Sequence, residues 1–124
     1  MYLLDTHVFL WWILDDQRLP EKVRLILRNR EHQIWVSAAT IWEIFIKKNR
    51  GNLNAADSVE SFIYSEGFKP LNITIEHAKT AGLLPRHHED PFDRMLIAQA
   101  MVENLKLITS DKHFKKYEAA LVTF

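Results

Sequence analysis

The sequence contains no cysteine, which excludes a disulfide framework and any thiolate-ligated zinc site. A metal ion bound by this chain must be held by oxygen or imidazole. Long hydrophobic runs are missing too. The stretch from Val8 to Leu14 is among the longest, far short of the ~20 residues that cross a bilayer, so no membrane partner is expected. No basic region leads into an apolar segment at the N-terminus, so a secretory signal is not expected and a cytoplasmic protein is. Nor is there charge of one sign: 16 Lys and Arg balance 16 Asp and Glu. That balance removes the global positive field of many nucleic-acid binders and leaves only local patches. Internal repeats and low-complexity segments are absent as well.

What remains is ordinary in composition. With 48% hydrophobic and 26% charged residues over 124 positions, the chain is expected to fold as one domain, residues 1–124, around a single large core. Neither an enzyme nor a binding module is excluded. Three basic clusters, Lys47-Lys48-Asn49-Arg50, Arg86-His87-His88 and Lys112-His113-Phe114-Lys115-Lys116, offer the local charge that the average lacks.

The apolar pattern alternates strands with helices. Met1 to Leu4 reads as a strand that stops at Asp5-Thr6 and enters a helix through Leu14, and Pro20 opens a second helix to about Arg30. Gln33 to Val36 is a second strand, leading at Ser37 into a helix from Ala38 to Lys48 that stops at Gly51. A helix capped by Asp57 or Ser58 is expected to run to Glu66, followed by a strand from Phe68 to Asn72 whose Pro70 places it at a sheet edge. Thr74-Ile75-Glu76-His77 resembles a capping box for a helix to about Leu84. A largely buried helix from Pro91 to Glu103 and strands at Leu105–Thr109 and Ala120–Phe124 complete the series. Such alternation argues for a parallel sheet covered on both faces.

Four acids stand out against this pattern. Asp5, Glu43 and Asp111 lie in the apolar contexts Leu3-Leu4-Asp5-Thr6, Ile41-Trp42-Glu43-Ile44 and Leu105 to Asp111, and Asp93 lies just inside the helix that Pro91 opens. An uncompensated buried carboxylate costs several kcal/mol, so something positive should accompany them. Asp5 and Asp111 each follow a strand, where parallel sheets bind ligands. If the first and fourth of the main strands are neighbours, the two carboxylates meet at one edge. Each acid also has a plainer reading: Asp5 and Asp111 as helix caps, Asp93 as a first-turn acid, Glu43 as a surface residue. Read together, they suggest one composite site for a hard cation such as Mg²⁺ or Mn²⁺, and phosphodiester hydrolysis as the reaction class. An aspartyl phosphoryl-transfer enzyme built on Asp5 is a rival, but it wants a second acid two residues later, where His7 stands.

The runs Leu3-Leu4-Asp5-Thr6-His7, Trp42-Glu43-Ile44, Asp90-Pro91-Phe92-Asp93-Arg94-Met95-Leu96-Ile97-Ala98-Gln99-Ala100 and Ile108-Thr109-Ser110-Asp111 resemble the PIN-domain ribonucleases, in particular the toxin component of VapBC-type toxin-antitoxin pairs. The resemblance covers essentially the whole chain in the family's order and spacing. It implies a three-layer α/β/α sandwich with a central, mainly parallel sheet, and Mg²⁺-dependent (or Mn²⁺-dependent) endonucleolytic cleavage of RNA by Asp5, Glu43, Asp93 and Asp111. By similarity, Asp5 and Asp93 bind metal directly, while Glu43 and Asp111 hold metal or its water. Thr6 and Ser110 become polar neighbours, and Asp90 is either a ligand or the residue that fixes the loop. Arg94 contacts phosphate or orients a carboxylate, and His87 and His88 are either exposed loop residues or metal and proton carriers. The partners implied are an RNA substrate, a cognate antitoxin and a second copy in a homodimer, with the first helix and the Ile41–Ile46 surface as candidate interfaces. Trp11 and Trp12 stack bases if exposed. The alternative is a catalytically silent PIN-like module that binds RNA or protein.

Overall fold

A computed structural model describes all residues, Met1–Phe124. Five strands form one sheet: β1 (Tyr2–Leu4), β2 (Ile34–Ser37), β3 (Lys69–Leu71), β4 (Lys106–Thr109) and β5 (Leu121–Thr123), in the order β3-β2-β1-β4-β5. Every pair is parallel, with Leu3 opposite both Trp35 and Leu107. The expected edge strand is β3, where the missing N–H of Pro70 is tolerated.

The helices are α1 (Thr6–Ile13), α2 (Glu21–Arg28), α3 (Ala38–Asn49), α4 (Ser61–Ser65), α5 (Ile75–Leu83) and α6 (Pro91–Glu103), with a short 3₁₀ helix at Lys112–Lys116. Because strand side chains alternate in direction, neighbouring residues of β1 and β4 serve opposite cores. Leu4 and Ile108 pack with Val8, Phe9, Val23, Ile44 and Ile63, on the side of α1 to α4. Leu3 and Leu107 pack with Ala81, Leu96, Ile97 and Phe114, on the side of α5, α6 and the 3₁₀ helix. Two cores on one sheet make the three-layer α/β/α sandwich.

Local sequence explains most boundaries. Thr74 and His77 form the expected capping box, with the Thr74 hydroxyl accepting from the His77 amide at 3.1 Å and His77 Nδ1 accepting from the Thr74 amide at 3.1 Å. Gly67 takes φ +71° just beyond α4, and Asn104 takes φ +55° at the end of α6, conformations that favour these two residue types. Several elements are a residue or two shorter than expected, and α4 starts late. The helix expected from Asp57 or Ser58 begins only at Ser61, because Ser61, Phe62 and Ile63 bond to carbonyls three residues back rather than four. Those tighter turns let Val59 plug the core.

Candidate active site

Strand order reverses between β1 and β4, and the crevice outside their carboxyl ends is where such a sheet receives ligands. All four acids face this end. Asp5 leaves β1, Asp111 lies two residues beyond β4, Glu43 sits on α3, which begins directly after β2, and Asp93 lies in the first turn of α6.

Asp5 is only 3% exposed. Its Oδ1 accepts from the Thr6 amide at 2.7 Å and its Oδ2 from the Thr109 hydroxyl at 2.8 Å. Burial nevertheless pushes its carboxyl above the usual range, against those two hydrogen bonds. Glu43 is 4% exposed, so it does not face outward. The Thr6 hydroxyl donates to its Oε1 at 2.7 Å, and Lys47, one turn on, donates to its Oε2 at 2.7 Å. That bond holds Lys47 protonated to higher pH than usual.

Asp93 carries the clearest signature. Burial, then the charges of Asp5, Asp90, Glu43 and Asp111, push its carboxyl up to about 8. A contact of 2.8 Å from His88 Nε2 to its Oδ2 favours the ionised form, but one imidazole does not offset burial among four other carboxylates. Asp111 behaves in the opposite way. Partial burial raises its pKa, yet hydrogen bonds from the His113 amide and ring, each at 2.9 Å, and from His88 at 3.4 Å outweigh that, so it lies below its usual range. Asp111 is the N-cap of the 3₁₀ helix as well as a member of the cluster.

Several neighbours stand differently from expectation. Ser110 lines a small cleft with Lys112, Lys115 and Phe124, and it is Thr109 that joins two acids, donating to Asp5 and accepting from the Asp111 amide at 3.0 Å. Asp90 caps α6, accepting from the amides of Phe92 at 2.8 Å and Asp93 at 3.4 Å. Arg94 is occupied elsewhere. Its guanidinium donates to the carbonyls of Ala81, Leu84, Pro85 and His88 at 2.9–3.2 Å, which pins the loop between α5 and α6 and leaves no fork for a phosphate. Tyr117 holds the same loop, its hydroxyl donating to Pro85 O and accepting from the His88 amide, both at 2.8 Å. His87 packs edge-on against Tyr117, outside the cluster, whereas His88 stands between Asp93 and Asp111. A pair of histidines in a polar loop gives no sign in the sequence of which one turns inward. Trp11 packs against Phe124 and beneath Arg18, and Trp12 against Phe68.

A family model described as "PIN domain" matches residues 2–120. The chain belongs to the PIN-domain family. Among relatives of this PIN domain, Ribonuclease VapC22 of Mycobacterium tuberculosis is 28% identical over 118 residues, spanning 93% of this chain and 90% of that protein. The fold recurs in the crystal structure of VapBC2 from Rickettsia felis bound to a DNA fragment from their promoter, at TM-score 0.73 and 17% identity over 99% of this chain and 98% of that one. It recurs again in a toxin-antitoxin complex from Klebsiella pneumoniae, at TM-score 0.71 and 21% identity over 99% and 97% of the two chains.

Proposed function

We propose that this PIN domain is a divalent-metal-dependent endoribonuclease, the toxin of a toxin-antitoxin pair that its antitoxin neutralises. The observation that carries the reading is the convergence of Asp5, Glu43, Asp93 and Asp111 at the switch point of the sheet. With Asp90 they place five carboxyl groups near one another, against Lys47 and His88 as the nearby basic groups. A donor set this rich in oxygen, one of whose carboxyls is driven up to about 8 by burial and then by its charged neighbours, fits a hard divalent cation, Mg²⁺ or Mn²⁺. Asp5 and Asp93 are the proposed direct ligands, with Glu43 and Asp111 supporting them. When bound, the cation supplies positive charge against phosphodiester oxygens and acidifies a water molecule.

The chain's own groups prepare that site. Thr109 and the Thr6 amide each fix one oxygen of Asp5, and the Thr6 hydroxyl and Lys47 fix those of Glu43, so the carboxylates are oriented before a ligand arrives. Lys112 and Lys115 line the cleft beside Asp111 and supply local attraction for an RNA backbone. Beside the acids, Trp42 is 62% exposed and packs edge-on with Phe92, in an apolar hollow completed by Ala39, Ile73, Pro91 and Met95. Such a surface on the Ile41–Ile46 stretch suits a protein partner, antitoxin or second copy. The names of the Mycobacterium, Rickettsia and Klebsiella proteins support the toxin reading.

RNA cleavage by metal-stripped protein, with and without added MgCl₂, tests the activity. Asp93→Asn should lower the Mg²⁺-dependent rate by at least about 100-fold, the scale on which a main electrostatic contributor acts. Equal cleavage by wild type and variant would place the chemistry elsewhere.

A further inference from the structure

The cluster has an end that is not built from oxygen. One ligand atom from each of His88, Asp111 and His113 lies within 4.8 Å of the other two. His88 Nε2 is 2.8 Å from Asp93 Oδ2 and 3.4 Å from Asp111 Oδ2, and His113 Nδ1 is 2.9 Å from Asp111 Oδ1. Ligand atoms around a four-coordinate ion with bonds near 2.1 Å sit roughly 3.4 Å apart, close to the three contacts of 2.8–3.4 Å, while side-chain rotation must draw in those of the three atoms that lie farther apart, within 4.8 Å. The side chains of His88 and Asp93 are each 17% exposed and that of His113 is 63% exposed, which leaves an approach from solvent.

We propose that His88, His113 and Asp111, with Asp93 beside His88, form a mixed nitrogen-oxygen site for a borderline divalent cation of the Zn²⁺ or Co²⁺ class, contiguous with the carboxylate centre. Imidazole is the donor that distinguishes such ions from Mg²⁺, which prefers carboxylate and water. The proposal shares Asp93 and Asp111 with the magnesium centre and rests on that reading for those two carboxylates. The histidines are its own addition.

The ring chemistry is consistent. The Asp90 amide donates to His88 Nδ1 at 3.3 Å, so the ring hydrogen sits on Nε2 and faces the two carboxylates. A cation at Nε2 takes the lone pair there, the ring's one hydrogen moves to Nδ1, and a long hydrogen bond from Asp90 is given up. The loop stays clamped by Arg94 and Tyr117 through the His88 carbonyl and amide.

The test uses metal-stripped full-length protein titrated with ZnCl₂, CoCl₂ and MgCl₂ by calorimetry, with ¹⁵N NMR of the histidine rings. Wild type should bind one Zn²⁺ with shifts confined to the rings of His88 and His113. The double variant His88→Gln/His113→Gln keeps a donor toward Asp93 but loses both imidazoles. It should bind Zn²⁺ and Co²⁺ at least about tenfold more weakly, with a much smaller change in Mg²⁺ affinity. His113→Gln alone alters a mostly exposed side chain and serves as the variant that keeps the fold, checked by its melting curve; it should show part of the loss. Asp5→Asn should do the reverse, weakening Mg²⁺ and sparing Zn²⁺. Unchanged Zn²⁺ affinity in the double variant, or ring shifts at His7, His32, His77 or His87 instead, would overturn the proposal while leaving the Mg²⁺ reading intact. Zn²⁺ binding through the two imidazoles in a protein that fails to bind Mg²⁺ would sink the magnesium centre and uphold this one.

Discussion

The Thr109 hydroxyl connects two acids by donating to Asp5 and accepting from the backbone of Asp111. Thr109→Val keeps the shape and removes both bonds, leaving a buried carboxylate oxygen and an amide without these partners. We expect a loss of about 1–3 kcal/mol in urea unfolding and an approximately tenfold fall in Mg²⁺ affinity by calorimetry, with Thr109→Ser restoring most of both. A valine variant with wild-type affinity would show that Asp5 needs no such tether. Asp5, Glu43 and Asp111 were legible in the sequence because charge in apolar surroundings is conspicuous, and Asp93 because it sits in the Asp90-to-Ala100 run that resembles the family. The tether was not. Whether residue 109 or 110 turns toward Asp5 depends on the pairing of Leu4 with Ile108, and a one-residue slip in register exchanges the two faces of a strand. The burial of Glu43 was equally undecided until α3 was seated with Ile44 in one core and Thr6 beside it.

The loop between α5 and α6 places His88, and it is held by two residues from outside itself. Arg94 satisfies four carbonyls and Tyr117 adds a carbonyl and an amide. Arg94→Ala should therefore cost about 2–4 kcal/mol in chemical unfolding, the range for breaking a buried polar network. Arg94→Lys should rescue it poorly, since one ammonium cannot reproduce the planar fork. A neutral effect of the alanine variant on unfolding would contradict the clamp. Strands, helix order and the edge position of β3 could be read from hydrophobic period and from Pro70. The 3₁₀ character of Lys112–Lys116 and the late start of α4 could not, because both are decided by which buried side chain, Phe114 or Val59, must reach its core.

For the molecule as a whole, the crowded carboxylates tie stability to pH. Asp93 titrates at about 8 in the folded protein against 3.8 for the free side chain, so between those values the native state keeps a proton that the unfolded state has released. In metal-free protein its contribution is fully favourable below about 4 and is lost as pH rises through about 8. Asp5, also raised, acts in the same direction. Unfolding free energies measured with chelator at several pH values should fall by roughly 2 kcal/mol more in wild type than in Asp93→Asn, after allowance for solvent screening. Added Mg²⁺ should flatten or invert the trend, because it binds the deprotonated form. A wild-type profile that runs parallel to that of Asp93→Asn would refute the assignment.

The three-residue β1 lies between β2 and β4, and its following Asp5 is bonded to a residue 104 positions away. A ribosome makes Asp5 104 positions ahead of Thr109, the end of the neighbouring β4, and Asp111 follows. Contacts so distant along the chain form late and slowly. A nascent chain therefore carries Asp5 and Asp111 apart until β4 has been made, and the acidic cluster closes only when that later strand takes its place beside β1.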